Sequence, residues 1–299
     1  MSQLLQTIII GIISGSLYSL LAMGMVLVYR TTGVLNIAHG GVGVLCGFVA
    51  WDLITLRHWP YYPGVIAGVV VAVVLGVAFE RLVCRRLPSA AARTVATLGL
   101  FLLAQGVVFV VPWWGNTWGQ LFPSPLQGKN IKVPAARYAI SYDQLVLVAT
   151  VILFFIGLRF ILRRTRLGMA MRAISDDPSA SRLMGVREHL VSPVVWGLAF
   201  GISGLSTMLL APIVFLENST IVALTLKALT VTFVGGLVSL PLTVLGATAL
   251  AMMEAFTQVY APEARGLSDA WPFILMVVVL VIRLAQRPKS FDDQALAAA

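Results

Sequence analysis

The chain has 299 residues, of which 59% are hydrophobic and only 11% charged, and its mean hydropathy is +0.93. Charged residues make up about a quarter of soluble domains, so this composition excludes an ordinary soluble domain and predicts a protein with many membrane spans. The net charge of +9 would suit nucleic acid, but the basic residues stand in the gaps between apolar runs and form no continuous face. We therefore expect a lipid bilayer, and no nucleic acid, around the chain.

Nine apolar runs approach the length of about 20 residues that a spanning helix needs. Glycine or proline interrupts some of them, so eight full crossings with additional broken or re-entrant pieces also fit the pattern. The sequence thus predicts an all-α, polytopic transmembrane bundle of about eight or nine spans that forms one domain over residues 1–299. The runs lie at roughly 4–29, 33–56, 63–82, 94–112, 141–162, 190–216, 220–239, 241–259 and 270–285.

The lysines and arginines predict how the bundle is oriented. If successive runs alternate in direction, 15 of the 21 basic residues fall on one side, which the positive-inside rule assigns to the cytoplasm. A loop at about 163–189 is then cytoplasmic, and a loop at about 113–140, with Trp113 and Tyr138 as interfacial aromatics, is external. With nine crossings the N-terminus is external and the C-terminus cytoplasmic; with eight, one end is reversed.

The first polar interruption lies in the second run, which contains Asn36-Ile37-Ala38-His39-Gly40-Gly41. A helix loses about 1 kcal/mol per glycine relative to alanine, so this segment is either a close-packing face or an unwound piece at membrane depth. Unwound backbone survives there only inside protein or beside a watery cavity. Asn36 and His39 share a face if the segment is helical, and they either hydrogen-bond between helices or line a pathway.

The most polar stretch of the chain runs from Arg159 to Val186. Residues 167–174 have the apolar spacing of a short helix. A second helix is predicted with its N-cap at Asp176 or Asp177, a proline in its first position and Gly185 as its left-handed C-cap. A rigid knob with small residues favours docking with a soluble protein, and the alternative is a basic loop on anionic lipid headgroups. The small residues are Gly168, Ala170, Ala173 and Ala180.

The second half of the chain holds a loose counterpart of the first interruption. An apolar run that begins near Lys227 is broken by Gly235-Gly236 and then by Pro241. Interrupted segments in corresponding halves point to a translocation path. Lys227 and Glu254 are the deepest ionisable residues in this half, although a lysine at membrane depth costs about 2.5–3.5 kcal/mol. They either pair with each other to fix helix packing or contact a substrate.

Several motifs occur in a recognisable order along nearly the whole chain. Together they resemble the permease subunits of ABC importers for branched-chain amino acids. The motifs are Asn36-Ile37-Ala38-His39-Gly40 after a first span with Tyr18, Ala22 and Gly24; Glu80-Arg81; Arg166-Leu167-Gly168 with Arg172-Ala173, Ala180 and Gly185; and Lys227-Ala228 with Gly235-Gly236 and Pro241.

The resemblance implies a bacterial inner-membrane permease that works with a second, related permease, two cytoplasmic ATP-binding subunits and an extracytoplasmic solute-binding protein. It also implies that the loop at 166–185 enters a groove of the ATPase. The residues expected in that contact are Arg166, Gly168, Arg172, Ala173, Asp177, Ala180 and Gly185. The residues expected along the substrate pathway are Asn36, His39, Gly40, Lys227, Gly235, Gly236 and Glu254.

Three other functions were compared with the sequence, and one of them fits it as well as a branched-chain amino acid permease does. A permease for urea or short amides shares the same motifs. A stand-alone ion-driven carrier would be favoured by acidic residues in the spans, but Glu80 and Glu254 are nearly the only ones. A membrane enzyme is disfavoured because the histidines are scattered and no metal motif or nucleophile elbow occurs. No Walker A loop is present in the sequence, so a partner must hydrolyse ATP, and we expect no cofactor, metal or catalytic residue in this chain.

Overall fold

The structure is a computed structural model that describes residues 2–114 and 119–285. These residues form eleven α-helices and one antiparallel hairpin of β1 (Asn130–Val133) and β2 (Tyr138–Ser141). A π-helical turn, Asp52–Leu56, extends the second helix. The helices are α1 (Ser2–Thr32), α2 (Ala38–Trp51), α3 (Tyr61–Leu82), α4 (Ala90–Val110), α5 (Tyr142–Arg164), α6 (Arg166–Asp176), α7 (Pro178–Leu183), α8 (Glu188–Val214), α9 (Asn218–Val234), α10 (Leu240–Tyr260) and α11 (Arg265–Ala285).

The all-α membrane bundle predicted from the apolar pattern is confirmed. Nine of the helices in the described part of the chain coincide with the nine predicted runs. Eight of these, counting α2 together with its π-helical turn, are long and apolar enough to cross a membrane, whereas α9 has 17 residues. Two details differ from the apolar pattern. The run predicted from residue 33 becomes helical only at Ala38, and the loop predicted at 113–140 contains the hairpin.

Three helices occupy the centre of the bundle. Of the most apolar stretch of each helix, 72% is buried in α1 and 78% in α8, against 22% in α5 and 11% in α11. The helix α2 is likewise buried along most of its length. The outer helices α3, α4, α5 and α11 keep apolar side chains exposed, as expected for a surface that faces lipid.

Glycines allow the closest helix contacts. A Cβ on Gly15 of α1 would lie 2.8 Å from the Cα of Thr248 on α10, and one on Gly76 of α3 would lie 2.4 Å from the carbonyl oxygen of Trp196 on α8. Small residues at such positions let two backbones approach where no hydrophobic force drives helices together in lipid. These contacts hold α10 and α3 against the central pair α1 and α8.

The two ends of the bundle differ in charge. A cavity of about 190 Å³ at one end brings together Thr32 from the end of α1, Arg93 from the first turn of α4, Arg182 from α7 and Glu188 from the start of α8. We call this the arginine-rich end, and the positive-inside rule predicts that it is the cytoplasmic one. At the opposite end, the indole of Trp113 donates to Asp52 at 3.0 Å. We call it the hairpin end, because α5 starts there directly after β2.

Candidate functional site

A charged cluster joins three helices inside the bundle. The Nζ of Lys227 on α9 lies 3.0 Å from Oε1 of Glu254 on α10, and the hydroxyl of Tyr18 on α1 donates to Oε2 of Glu254 at 2.6 Å. The ammonium group also lies 5.7 Å from the centre of the Tyr18 ring, which is within the range of a cation–π contact. We call Tyr18, Lys227 and Glu254 the charged triad. The structure thus forms the ion pair that was one of the two alternatives from the sequence.

The triad lies far from both ends of the bundle. At 1.5 Å per residue, Lys227 is about 13 Å from the first residue of α9 and about 10 Å from its last. The side chain of Lys227 is 19% exposed and that of Glu254 only 6%, so the lysine is the more accessible partner. A buried pair of this kind is stabilised by its mutual attraction only when further hydrogen bonds offset the cost of removing both charges from water, and Tyr18 supplies one such bond.

A second polar feature is the non-helical segment of residues 33–37 between α1 and α2. The backbone N–H groups of Leu35 and Ile37 donate to the hydroxyls of Thr94 and Thr97 at 3.3 and 3.1 Å, and the Thr97 hydroxyl donates to the Leu35 carbonyl at 3.1 Å. Thr97 is about 10 Å along α4 from its arginine-rich start, so the unwound backbone lies at membrane depth. Side chains of α4 provide the hydrogen bonds that such backbone requires.

Asn36 and His39 are both fully buried beside this segment. Neither polar atom of the Asn36 amide has a hydrogen-bond partner among the described residues. The His39 ring packs on Gly24 of α1, where a Cβ would come within 2.2 Å of the ring. The Leu21 carbonyl is near the ring, but neither ring nitrogen has a hydrogen-bond partner among the described residues. Buried polar groups without partners cost about 1–3 kcal/mol each, and the place of Asn36 and His39 in the substrate pathway stays a prediction.

The helix α2 is held between α9 and α8 by glycines that face hydroxyl groups. A Cβ on Gly40 would lie 2.0 Å from the Thr225 hydroxyl of α9, and the Ser203 hydroxyl of α8 donates to the His39 carbonyl. Thr225 and Lys227 are two residues apart and so project from different sides of α9. Among the described residues, no hydrogen bond or ion pair joins Asn36 or His39 to the triad. Five of the predicted pathway residues therefore form two sets, with Asn36, His39 and Gly40 on one side of α9 and Lys227 and Glu254 on the other.

The remaining two predicted pathway residues lie elsewhere. Gly235 and Gly236 form the turn between α9 and α10, and Gly236 adopts a left-handed φ of +68°. A Cβ on Gly236 would lie 2.4 Å from the guanidinium of Arg283. This turn is at the arginine-rich end and not at the depth of the triad. The place of Gly235 and Gly236 in the substrate pathway stays a prediction.

The segment 166–185 folds as two short helices, which we call the α6–α7 unit. Thr165 caps α6, since its hydroxyl accepts from Gly168 N at 3.1 Å. Asp177 caps α7, since its Oδ1 accepts from the backbone N–H groups of Ser179 and Ala180 at 2.7 and 3.0 Å. Gly185 follows with a φ of +83°. The structure therefore agrees with the caps predicted at Asp177 and Gly185.

The inner face of this unit is fixed to α5. A Cβ on Gly168 would lie 2.2 Å from the Ile161 carbonyl oxygen, and Arg172 Nη1 donates to the Leu162 carbonyl at 2.6 Å. The close neighbour of Gly168 is thus another helix of the same chain, which explains the small residue without a partner. Ala173 and Ala180 are half-buried and Arg166 is exposed. Their roles in docking stay predictions.

The outer tip of the unit is apolar and exposed. Leu183 is 91% exposed and Met184 82% exposed, and Met169 on α6 is 54% exposed. An ion pair between Arg182 and Glu188, with 3.0 Å between Nη2 and Oε2, links the tip to the start of α8. Two neighbouring apolar side chains at almost full exposure on a capped, braced element form a surface suited to another protein.

The sequence did not predict the contacts that the structure shows for four residues of the site. They are Tyr18, Thr94, Thr97 and Thr165. One tyrosine in an apolar helix has no partner that its sequence position reveals. The two threonines of α4 are three residues apart and share a face, which was the available signal, but their partner is a backbone that only the fold brings to them. Thr165 directly precedes α6, where an N-cap residue is expected. Its contact was therefore the easiest of the four to predict from the sequence.

The chain matches the family model described as branched-chain amino acid transport system / permease component over residues 7–280. The chain belongs to this family. With its apolar helices it is a multi-pass permease of the inner membrane. The resemblance inferred from the motifs is confirmed.

Three relatives place this permease within the family. It is 26% identical to the high-affinity branched-chain amino acid transport system permease protein BraD of Pseudomonas aeruginosa, over 93% of this chain and 94% of the relative. It is 26% identical to the probable branched-chain amino acid transport permease protein LivH of Methanocaldococcus jannaschii, over 91% and 88%. It is 25% identical to the autoinducer 2 import system permease protein LsrC of Salmonella paratyphi B, over 78% and 63%.

Proposed function

We propose that this permease is the membrane-spanning subunit of an ATP-driven importer that carries leucine, isoleucine, valine or related amino acids into the cell. In this proposal a second, related permease completes the membrane part. Two cytoplasmic ATP-binding subunits hydrolyse ATP, and an extracytoplasmic solute-binding protein delivers the substrate. The names of the relatives from Pseudomonas and Methanocaldococcus support the substrate class, and the family supports the transport role.

The observation that carries the proposal is the α6–α7 unit. It stands at the arginine-rich end, its helices are capped by Thr165 and Asp177, and its tip exposes Leu183 and Met184. A loop that only lay on lipid headgroups would need basic charge but neither the caps nor the fixed contact with α5. A unit that transmits force from an ATPase needs both rigidity and an apolar contact, because a flexible tip would absorb the movement.

The transport path in this proposal passes the two polar sets. The unpaired groups of Asn36 and His39 offer donors and acceptors beside α2, and the triad offers a cation and an anion on the other side of α9. An amino acid carries both an ammonium and a carboxylate group, so charges of both signs along one path suit it. Gly40 sets the spacing between the two sets because it brings α2 against α9.

The docking role is tested by charging the tip. We expect Leu183→Asp together with Met184→Asp to abolish co-purification of the ATP-binding subunits, because burying each apolar side chain contributes about 1.5–3 kcal/mol to a contact. The measurement is the yield of ATP-binding subunits on the tagged permease, with ATP-driven uptake in proteoliposomes. Ile131→Asp on the hairpin is the matched control, since Ile131 is an exposed apolar side chain, 43% exposed, at the opposite end.

Two results would change the proposal in different ways. Wild-type co-purification and uptake from the doubly charged tip would remove the docking role and restore the lipid-surface alternative. Uptake of urea without uptake of leucine by the assembled complex would keep the ATP-driven importer and replace its substrate by the runner-up class. The purified chain alone should show no ATP turnover, since its sequence has no phosphate-binding loop.

A further inference from the structure

A basic cavity at the arginine-rich end lies beside the α6–α7 unit and shares Arg172 with it. It has a volume of about 470 Å³ and lies between the end of α1, the last three turns of α5, α6 and the turn before α10. Four arginines and one aspartate line it, which leaves a net charge of +3. The lining arginines are Arg30, Arg159, Arg163 and Arg172, and the aspartate is Asp176.

The arginines of this cavity have little internal compensation. The ion pairs among the described residues are Arg57–Asp52, Arg182–Glu188 and Lys227–Glu254, and none involves them. Arg30 is close enough to Arg172 and Arg163 for mutual repulsion, which its attraction to Asp176 only partly offsets. Arg159 and Arg163 stand at i and i+4 on α5, a spacing at which like charges destabilise a helix. The cavity therefore gathers positive charge that an external anion would neutralise.

The surroundings of the cavity indicate what kind of anion fits. Phe155 and Leu162 form an apolar part of its wall, and the adjacent face of α5 exposes Ile152, Ile156 and Phe160 at 54, 59 and 60%. Arginines in the last turns of an outer apolar helix lie at the level of the headgroups of the cytoplasmic leaflet. A ligand in this position meets charge with one end and apolar surface with the other.

We propose that this cavity binds the phosphate headgroup of an anionic phospholipid from the cytoplasmic leaflet, whose acyl chains lie along the exposed face of α5. The arginine guanidinium groups donate charge-assisted hydrogen bonds to the phosphate oxygens, and the hydroxyls of Ser175 and Ser239, which also line the cavity, are further donors. Basic pockets between helices on this side of a membrane have the chemistry that binds such headgroups.

The test uses the full-length permease, delipidated in detergent, with native mass spectrometry to count bound phosphatidylglycerol and phosphatidylethanolamine during titration. We expect the wild-type protein to prefer phosphatidylglycerol, and Arg159→Gln with Arg163→Gln to weaken its binding about tenfold or more. The matched control is Arg86→Gln with Arg164→Gln. It removes the same charge at the same end from exposed residues that do not line the cavity.

Three results would overturn the proposal. In the first, both double variants lose the same affinity, which would indicate a general effect of net charge. In the second, inorganic phosphate alone displaces the lipid at millimolar concentration, which would indicate a site for a soluble anion. In the third, phosphatidylglycerol leaves when purified ATP-binding subunits are added, which would indicate that a protein covers the cavity. Melting temperatures of the wild type in phosphatidylglycerol and phosphatidylethanolamine nanodiscs provide a readout without variants, and equal values would also count against the site.

Discussion

The charged triad offers the sharpest test of whether buried charges serve transport or only helix packing. Replacing Lys227 by methionine keeps an apolar side chain of similar length but leaves the Glu254 carboxylate, whose side chain is 6% exposed, with only its hydrogen bond from Tyr18. We expect this variant to lose both stability and uptake while it still assembles with its partners. The loss of stability reports on the unpaired charge, and the loss of uptake reports on the role of the triad.

Two magnitudes bracket the expected loss of stability. Removing one partner of a buried ion pair costs about 3–5 kcal/mol in soluble proteins, whereas hydrogen bonds between transmembrane helices contribute about 0.6 kcal/mol on average and about 1.7 at most. The triad is buried, but Lys227 is partly exposed and Tyr18 still serves the carboxylate. We therefore expect Lys227→Met to cost about 2 kcal/mol. Thermal unfolding in detergent measures it.

A surface ion pair in the same chain is the matched control. Arg182 Nη2 and Glu188 Oε2 are also 3.0 Å apart, but their side chains are 65% and 34% exposed. Exposed pairs contribute at most about 1 kcal/mol, so Arg182→Met should change the melting temperature much less than Lys227→Met. Equal shifts would mean that burial of the triad does not determine its contribution.

The double variant Lys227→Met with Glu254→Gln separates packing from transport. It removes both charges, so most of the lost stability should return, because no charge remains buried without a partner. If the triad lines the path, uptake stays low although stability has returned. Recovery of uptake together with stability would restrict the triad to bracing the helices. Wild-type uptake by the single variant Lys227→Met would refute any role in the path.

Two further substitutions test the packing around the first polar set. Gly24→Ala places a methyl group 2.2 Å from the His39 ring and should lower the free energy of unfolding by about 1–3 kcal/mol. The control Gly106→Ala, whose methyl group meets nothing within 4 Å, should raise it by about 0.5–1 kcal/mol. Melting temperatures that change in the same direction would contradict this prediction. Thr97→Val removes a hydroxyl that hydrogen-bonds the unwound backbone and should lower the free energy of unfolding by about 1–3 kcal/mol. The control Thr248→Val removes only a hydrogen bond to Val244 in its own helix and should lower it less. Melting temperatures also check this prediction.

The bundle could be predicted from the sequence because its signals are local. Membrane helices must satisfy their own backbone hydrogen bonds, so an apolar run of sufficient length determines its structure almost alone. The caps of α7 were predictable for the same reason, since Asp177 binds N–H groups two and three residues further on. The glycines after Asn36 lie within α2 and pack closely on neighbouring helices, as Gly40 does on Thr225, so the close-packing interpretation holds for them, and the unwound backbone precedes them at residues 33–37.

The site was less predictable because its contacts are distant in sequence. Tyr18 and Glu254 are 236 residues apart, and nothing in either segment specifies the other. The glycines were ambiguous for a different reason. The sequence predicts a functional role for Gly168 and Gly40, and each has a close neighbour within the chain, Ile161 and Thr225 respectively. A small residue in the sequence indicates a close neighbour, but only the fold identifies that neighbour.

The choice of glutamine at position 254 follows from the position of α1. This helix carries Tyr18 at the triad, Gly24 against the His39 ring and Arg30 at the basic cavity, so it meets three polar features within about 18 Å of its length. Losing the Tyr18 contact would let α1 shift. Because the interior is close-packed, that shift would also disturb the contact of Gly24 with the His39 ring and the position of Arg30 at the basic cavity. Glutamine removes the charge but keeps a carbonyl oxygen as acceptor for Tyr18. A loss of uptake in the double variant then reports the missing charges and not a displaced α1, which an alanine at this position would confound.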